Sequence, residues 1–163
     1  MATTRFVTLP GSQRKPLANS RAAGPADPAE ITNITVRLCP VNALDALAAS
    51  VEKIYARPLA KRTYLTRDEL ARRHGARRED LNAIEHFAQR HNLAVSHRSA
   101  AQRSLTLTGE LGDILAAFPA KLRMFDHSTG TYRGRSGSIS IPREFRGIIS
   151  GVFGLDTRPN LKA

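Results

Sequence analysis

The sequence predicts an α+β fold, a ferredoxin-like split βαβ sandwich whose antiparallel sheet carries helices on one face. Three observations predict it. Residues from Thr32 alternate with a period of two, residues 42–91 repeat apolar side chains at helical spacing, and two further alternating runs are followed by a second helical stretch. At 163 residues the chain is the size of one domain plus a tail.

The first strand places Ile34, Val36 and Leu38 on one face and Asn33, Thr35 and Arg37 on the other, and Pro40 ends it. Leu44, Leu47, Ala48, Val51 and Ile54 then share a helical stripe over residues 42–56, stopped before Pro58. Thr66 with Glu69 forms a capping box, so a helix is expected from Arg67 to Gly75. Arg78-Glu79-Asp80 opens a longer helix with Leu81, Ile84, Phe87 and Ala88 on one stripe, closed at His91-Asn92.

Residues 93–97 and 103–108 alternate as two strands around a short connection, leaving Ala94, Ser96, Ser104, Thr106 and Thr108 on the face away from the helices. Leu111, Ile114, Leu115 and Phe118 make a helix that Pro119 stops, and residues 121–127 are expected to be the strand that completes the sheet. A Gly-rich hairpin follows at 128–137. Beyond Pro142, the spacing of Phe145, Ile148, Ile149, Val152 and Phe153 predicts a helix capped by Gly154. Residues 1–30, rich in Pro and Gly without periodicity, are expected to be a disordered arm; 31–155 form the domain and 156–163 begin a linker.

Composition narrows the function classes. The net charge is +11, and residues 31–163 keep +9 of it, which favours an acidic partner. The lone Cys39 closes no intramolecular disulfide. No run approaches the roughly 18 apolar residues of a membrane span, and the N-terminus lacks the roughly 7–15-residue apolar core of a secretory signal. His86, His91 and His97 are spaced unlike zinc ligands, so neither a metal nor any other cofactor is expected in this chain. An RNA-binding reading needs aromatics on the central strands, and 93–97 and 103–108 have none. The pairs Arg72-Arg73 and Arg77-Arg78 are expected to be solvated helix faces. Neither nucleic acid nor membrane is an expected partner.

Tyr64-Leu65-Thr66, His74-Gly75-Ala76, Ala117-Phe118, Phe125-Asp126-His127, Gly130-Thr131-Tyr132-Arg133, Ile141-Pro142 and Val152-Phe153-Gly154-Leu155-Asp156 follow one another in an order and spacing that resembles the pro-kumamolisin activation domain of sedolisin-type serine-carboxyl peptidases. Pro119 departs from the glycine more usual there. The resemblance implies a fold similar to subtilase prodomains and a chain that hydrolyses nothing itself, because the Ser-Gly-Thr-Ser-type motif of the peptidase is absent. Ser136-Gly137-Ser138 falls in the hairpin, with no base to activate it.

What the resemblance further implies is an inhibitor and folding template, secreted or extracellular and otherwise monomeric, whose partner is its own catalytic domain; calcium is expected in that absent domain. Ser96, Ser104, Thr106 and Thr108 would dock, with Arg123, Phe125 and Tyr132 as anchors, although Phe125 has the alternative of tucking against the core edge. Asp156, Arg158, Pro159, Asn160, Leu161 and Lys162 would enter the substrate cleft as a linker. A free-standing peptidase inhibitor is the alternative. On acidification the five histidines would take the charge from +11 toward +16, favouring release from an acidic partner that is losing its own charge.

Overall fold

A computed structural model describes residues 5–42 and 44–159. Among the described residues nine strands and four α-helices follow one another in the order β1 (Phe6–Thr8), β2 (Arg21–Pro25), β3 (Ile31–Leu38), α1 (Leu44–Tyr55), α2 (Arg67–His74), α3 (Arg78–Gln89), β4 (Ala94–Ser99), β5 (Ser104–Glu110), α4 (Leu111–Ala117), β6 (Lys121–His127), β7 (Gly130–Ser136), β8 (Ser140–Pro142) and β9 (Ile149–Phe153). The main sheet has the order β4-β5-β3-β9, all neighbours antiparallel. Two βαβ units, β3-α-β4 and β5-α4-β9, thus interlock as the ferredoxin-like arrangement requires.

The helices begin and end where local chemistry places them. Thr66 Oγ1 accepts from the Glu69 backbone N–H at 3.2 Å while the Thr66 N–H donates to Glu69 Oε2 at 2.9 Å, completing the capping box. Those bonds from the Thr66 backbone and hydroxyl hold the Glu69 carboxyl below its ordinary pKa. α3 carries Glu79 and Asp80 in its first turn and buries Leu81, Ile84, Phe87 and Ala88, the stripe read from spacing. Against it lie Ile34, Val36, Leu38, Leu105 and Leu107 from the sheet and Leu111 and Ile114 from α4. Phe87 is the hub, edge-on to Phe118 at 5.8 Å and to Phe145 at 5.2 Å between ring centroids.

Residues 121–127 do form a strand, but not the expected one. β6 is the centre of a separate three-stranded sheet, β2-β6-β7, and the position beside β3 belongs to β9. The helix expected over 142–153 is accordingly a 3-10 turn at Arg143–Phe145 followed by β9. The cause is a bulge. Leu38 faces Ile149, Arg37 faces Gly151 and Val36 faces Val152, so Ile149 and Val152 point inward although three residues apart. That spacing imitates a helical stripe, while the glycines and β-branched residues of the segment disfavour helix.

The N-terminal arm is also corrected, since β1 pairs with β8 and β2 with β6. Leu9 is buried in the core with its N–H on the Ile139 carbonyl at 2.8 Å, and Ser12 Oγ accepts from the Ile139 N–H at 3.0 Å. The arm's Pro and Gly residues are turns between short paired strands. Among the described residues no helix is long and apolar enough to cross a membrane. No group of three or more His, Cys, Asp or Glu there could hold a metal ion.

Truncating the hub tests the packing. Phe87→Ala is expected to cost about 3–5 kcal/mol, read in urea unfolding as a lower midpoint with an unchanged slope.

Candidate docking face and C-terminal strap

Alternation in β3 sends Thr32, Ile34, Val36 and Leu38 inward and leaves Ile31, Asn33, Thr35 and Arg37 on the opposite face, where each stays exposed or half-exposed. Register then assembles that face in rows. Asn33 stands beside Thr108 and, one strand further, Ala94; Thr35 stands between Thr106 and Phe153; Arg37 stands between Ser104 and Gly151. Thr108 Oγ1 donates to Asn33 Oδ1 at 2.6 Å and Ser96 Oγ donates to the Thr106 carbonyl at 3.3 Å, which fixes these side chains against the sheet. The structure therefore brings Ser96, Ser104, Thr106 and Thr108 together.

Phe153 and Ile31 supply an apolar rim, 55% and 66% exposed. Neither residue was among the docking candidates that the sequence offered, nor were Asn33 and Thr35, although alternation had set the latter two on the face away from Ile34, Val36 and Leu38. The polar alternation of β3 was visible, but its placement at the sheet's interior needed the pairing with β9.

Arg123, Phe125 and Tyr132 lie elsewhere, on the β2-β6-β7 sheet. Phe125 and Tyr132 are cross-strand partners stacked at 5.6 Å and buried, so they are not outward anchors. Two things bury them. Gly134 leaves room beneath the rings, since a Cβ there would stand 2.7 Å from atoms of both, and the segment expected to be disordered covers them. Tyr132 Oη accepts from the Leu17 N–H at 2.9 Å and lies 2.9 Å from Ser20 Oγ. Arg123 stays exposed, opposite Pro25 and Gly134.

The segment after β9 is fastened, not loose. The Thr157 N–H donates to the Arg133 carbonyl at 2.8 Å, and the Arg133 N–H donates to Thr157 Oγ1 at 2.9 Å. Asp156 accepts from the Arg135 N–H at 3.0 Å and from Arg158 through its N–H and Nε at 3.0 and 2.8 Å; Arg158 Nη2 closes the fork. Arg158 Nη1 also donates to the Lys15 carbonyl at 3.0 Å. Of the expected linker, Asp156 and Arg158 are thus structural fasteners and Pro159 is half-buried, while Asn160, Leu161 and Lys162 lie outside the described residues.

Beneath the strap sits Arg133, only 3% exposed. Its Nε donates to the Leu155 carbonyl at 2.9 Å, Nη1 to Thr32 Oγ1 at 3.0 Å and Nη2 to the Gly154 carbonyl at 3.3 Å, and Nη1 pairs with Glu30 Oε2 at 2.6 Å. One guanidinium so joins the second sheet to the start of β3 and the end of β9. Gly154 turns there at φ +99°, with the Asn33 carbonyl 2.5 Å from where a Cβ would be.

Two outcomes follow from this geometry. Arg133→Met leaves buried carbonyls undonated and should cost roughly 2–4 kcal/mol, with Arg133→Lys recovering only part because one ammonium cannot span the fork. Burial pushes the Asp156 carboxyl up, but the Arg158 side chain and the Arg135 and Arg158 backbone N–H groups outweigh it and hold it below its ordinary value. A lowered folded pKa means that its contribution is complete above the unfolded value of about 3.9 and is lost as pH falls through the folded one. Asp156→Asn should therefore lower stability near neutrality and flatten its decline in acid, measured by denaturation from pH 7 to pH 3.

The family model described as the pro-kumamolisin activation domain matches residues 18–158 of this chain. Kumamolisin of Bacillus sp. (strain MN-32) is 34% identical over 151 residues, covering 93% of the chain and 27% of that relative. The chain thus spans about a quarter of the curated relative it matches. With the two-βαβ sheet, its bare face and the fastened strap in place, the chain belongs to the pro-kumamolisin activation-domain family.

Proposed function

We propose that the chain is the activation propeptide of a sedolisin-type serine-carboxyl peptidase, docking through the open face of the main sheet on its own catalytic domain. One observation carries this reading. The inward face of the four-stranded sheet shares its core with α3 and α4, while the other face is an exposed or half-exposed, hydrogen-bonded surface of Ser, Thr and Asn with exposed Phe153 and Ile31 at its rim. Sheet faces are stable when covered, and a partner supplies the missing layer.

In this reading the chain after Arg158 enters the catalytic cleft of the docked domain, so occupation of the face and blockage of the cleft occur together. Presenting a preformed surface also makes the chain a template for folding of the catalytic domain. The net charge of +11 speeds encounter with an acidic partner. Acid neutralises that partner's carboxylates, weakens the attraction and exposes the linker to cleavage. In this reading the precursor works outside the cell.

The test is inhibition in trans. The folded chain should inhibit a sedolisin-type peptidase near neutral pH, and its affinity should fall at least about tenfold toward pH 4. Thr106→Glu, in the middle of the face, should weaken inhibition by a similar factor with the fold unchanged by circular dichroism. A folded chain that fails to inhibit near neutrality, or an affinity flat from pH 7 to pH 4, contradicts the corresponding part of the reading.

A further inference from the structure

Beside the outer edge of β9 lies a cleft of about 230 Å³ lined by Arg14, Arg135, Phe153, Gly154, Asp156 and Arg158. A narrower cleft of about 90 Å³ shares Arg14, Arg135 and Phe153 with it and runs on past Ser12 and Ser150. Three guanidiniums and a single carboxylate thus surround one small space.

Their existing bonds leave positive charge over. Asp156 is committed to Arg158 on both oxygens and to the Arg135 N–H. Among the described residues the buried Arg135 guanidinium donates only to neutral carbonyls, those of Ser12 and Gly137. Arg14 is held by its backbone alone, its N–H on the Gly137 carbonyl at 3.0 Å and its carbonyl on the Gly137 N–H at 2.9 Å. Among the described residues its guanidinium makes no hydrogen bond or ion pair. Like charges gathered in a walled cleft repel unless an anion joins them, and burial together with the Arg14 charge already disfavours the charged form of Arg135.

Planar guanidiniums recognise carboxylates through paired N–H donors, and a space this small holds a side chain, not a cofactor. Access comes from the docking face. Phe153 walls the cleft and also stands on that face beside Thr35, its ring lying over Gly151.

We propose that this cleft is a carboxylate pocket, filled by an Asp or Glu side chain of the protein that docks on the adjoining sheet face. The identity of that protein rests on the proposed function; the chemistry of the pocket does not. Arg14 is the residue to change, because among the described residues its side chain makes no hydrogen bond or ion pair that the substitution would remove.

The experiment has two arms, both on the full chain. In the first, glutarate is compared with chloride at equal ionic strength: wild type should melt at a higher temperature in glutarate and Arg14→Ala should not, whereas equal melting of wild type in both salts overturns the pocket. In the second, Arg14→Ala should bind a sedolisin-type catalytic domain about tenfold more weakly, with a shallower salt dependence. Unchanged affinity there overturns the docked protein as the source of the carboxylate, even where glutarate stabilises. If wild type binds no such domain, the proposed function fails and the glutarate arm alone decides the pocket.

Discussion

Everything distinctive in this structure turns on one buried guanidinium. Arg133 gathers Glu30 and Thr32 at the start of β3 with Gly154 and Leu155 just after the edge strand β9, and holds them against β7 of the second sheet. A charge so nearly free of solvent is tolerable only with its donors matched, and here they meet a carboxylate, a hydroxyl and two carbonyls. Geometry, more than energy, is its contribution. It sets where β9 ends, and therefore where the C-terminal strap departs.

That placement explains why one face of the main sheet remains bare. The segments with the length to cover it are used elsewhere: the N-terminal arm closes the second sheet over Phe125 and Tyr132, and the strap runs along β7 and back toward Lys15. What is left is a surface polar enough to stay in water yet rimmed by Phe153 and Ile31. α1 and the 3-10 turn after it expose Val51, Tyr55 and Leu59 as well, but a helix and a single turn lack the flat row-by-row arrangement of the sheet.

The sequence made the helices legible because their signals are local. A capping box at Thr66 and Glu69, acidic residues at the start of α3 and the stripe of Leu81, Ile84 and Phe87 need no knowledge of the rest of the chain. β9 was illegible because a bulge opposite Arg37 and Leu38 converts strand pairing into an inward spacing of three. Phe125 and Tyr132 were misplaced for a related reason: alternation assigns a side chain to a face, not what covers that face. The motif around Gly130-Thr131-Tyr132-Arg133 was visible, yet only the fold shows that its arginine points inward to the clasp. Ser96, Ser104, Thr106 and Thr108 lie together on one face because β4 and β5 are neighbours and pair directly.

If the chain docks through the open face of the main sheet, that face must lose solvent on binding. Side-chain oxidation footprinting compares the free chain with its complex with a sedolisin-type catalytic domain, using Phe153 and Ile31 as reporters and Tyr55 and Leu59 as exposed references. Docking through this face should leave the two reporters oxidised in the free chain and shielded in the complex while the references stay reactive. Reporters that remain as reactive in the complex as in the free chain would contradict it.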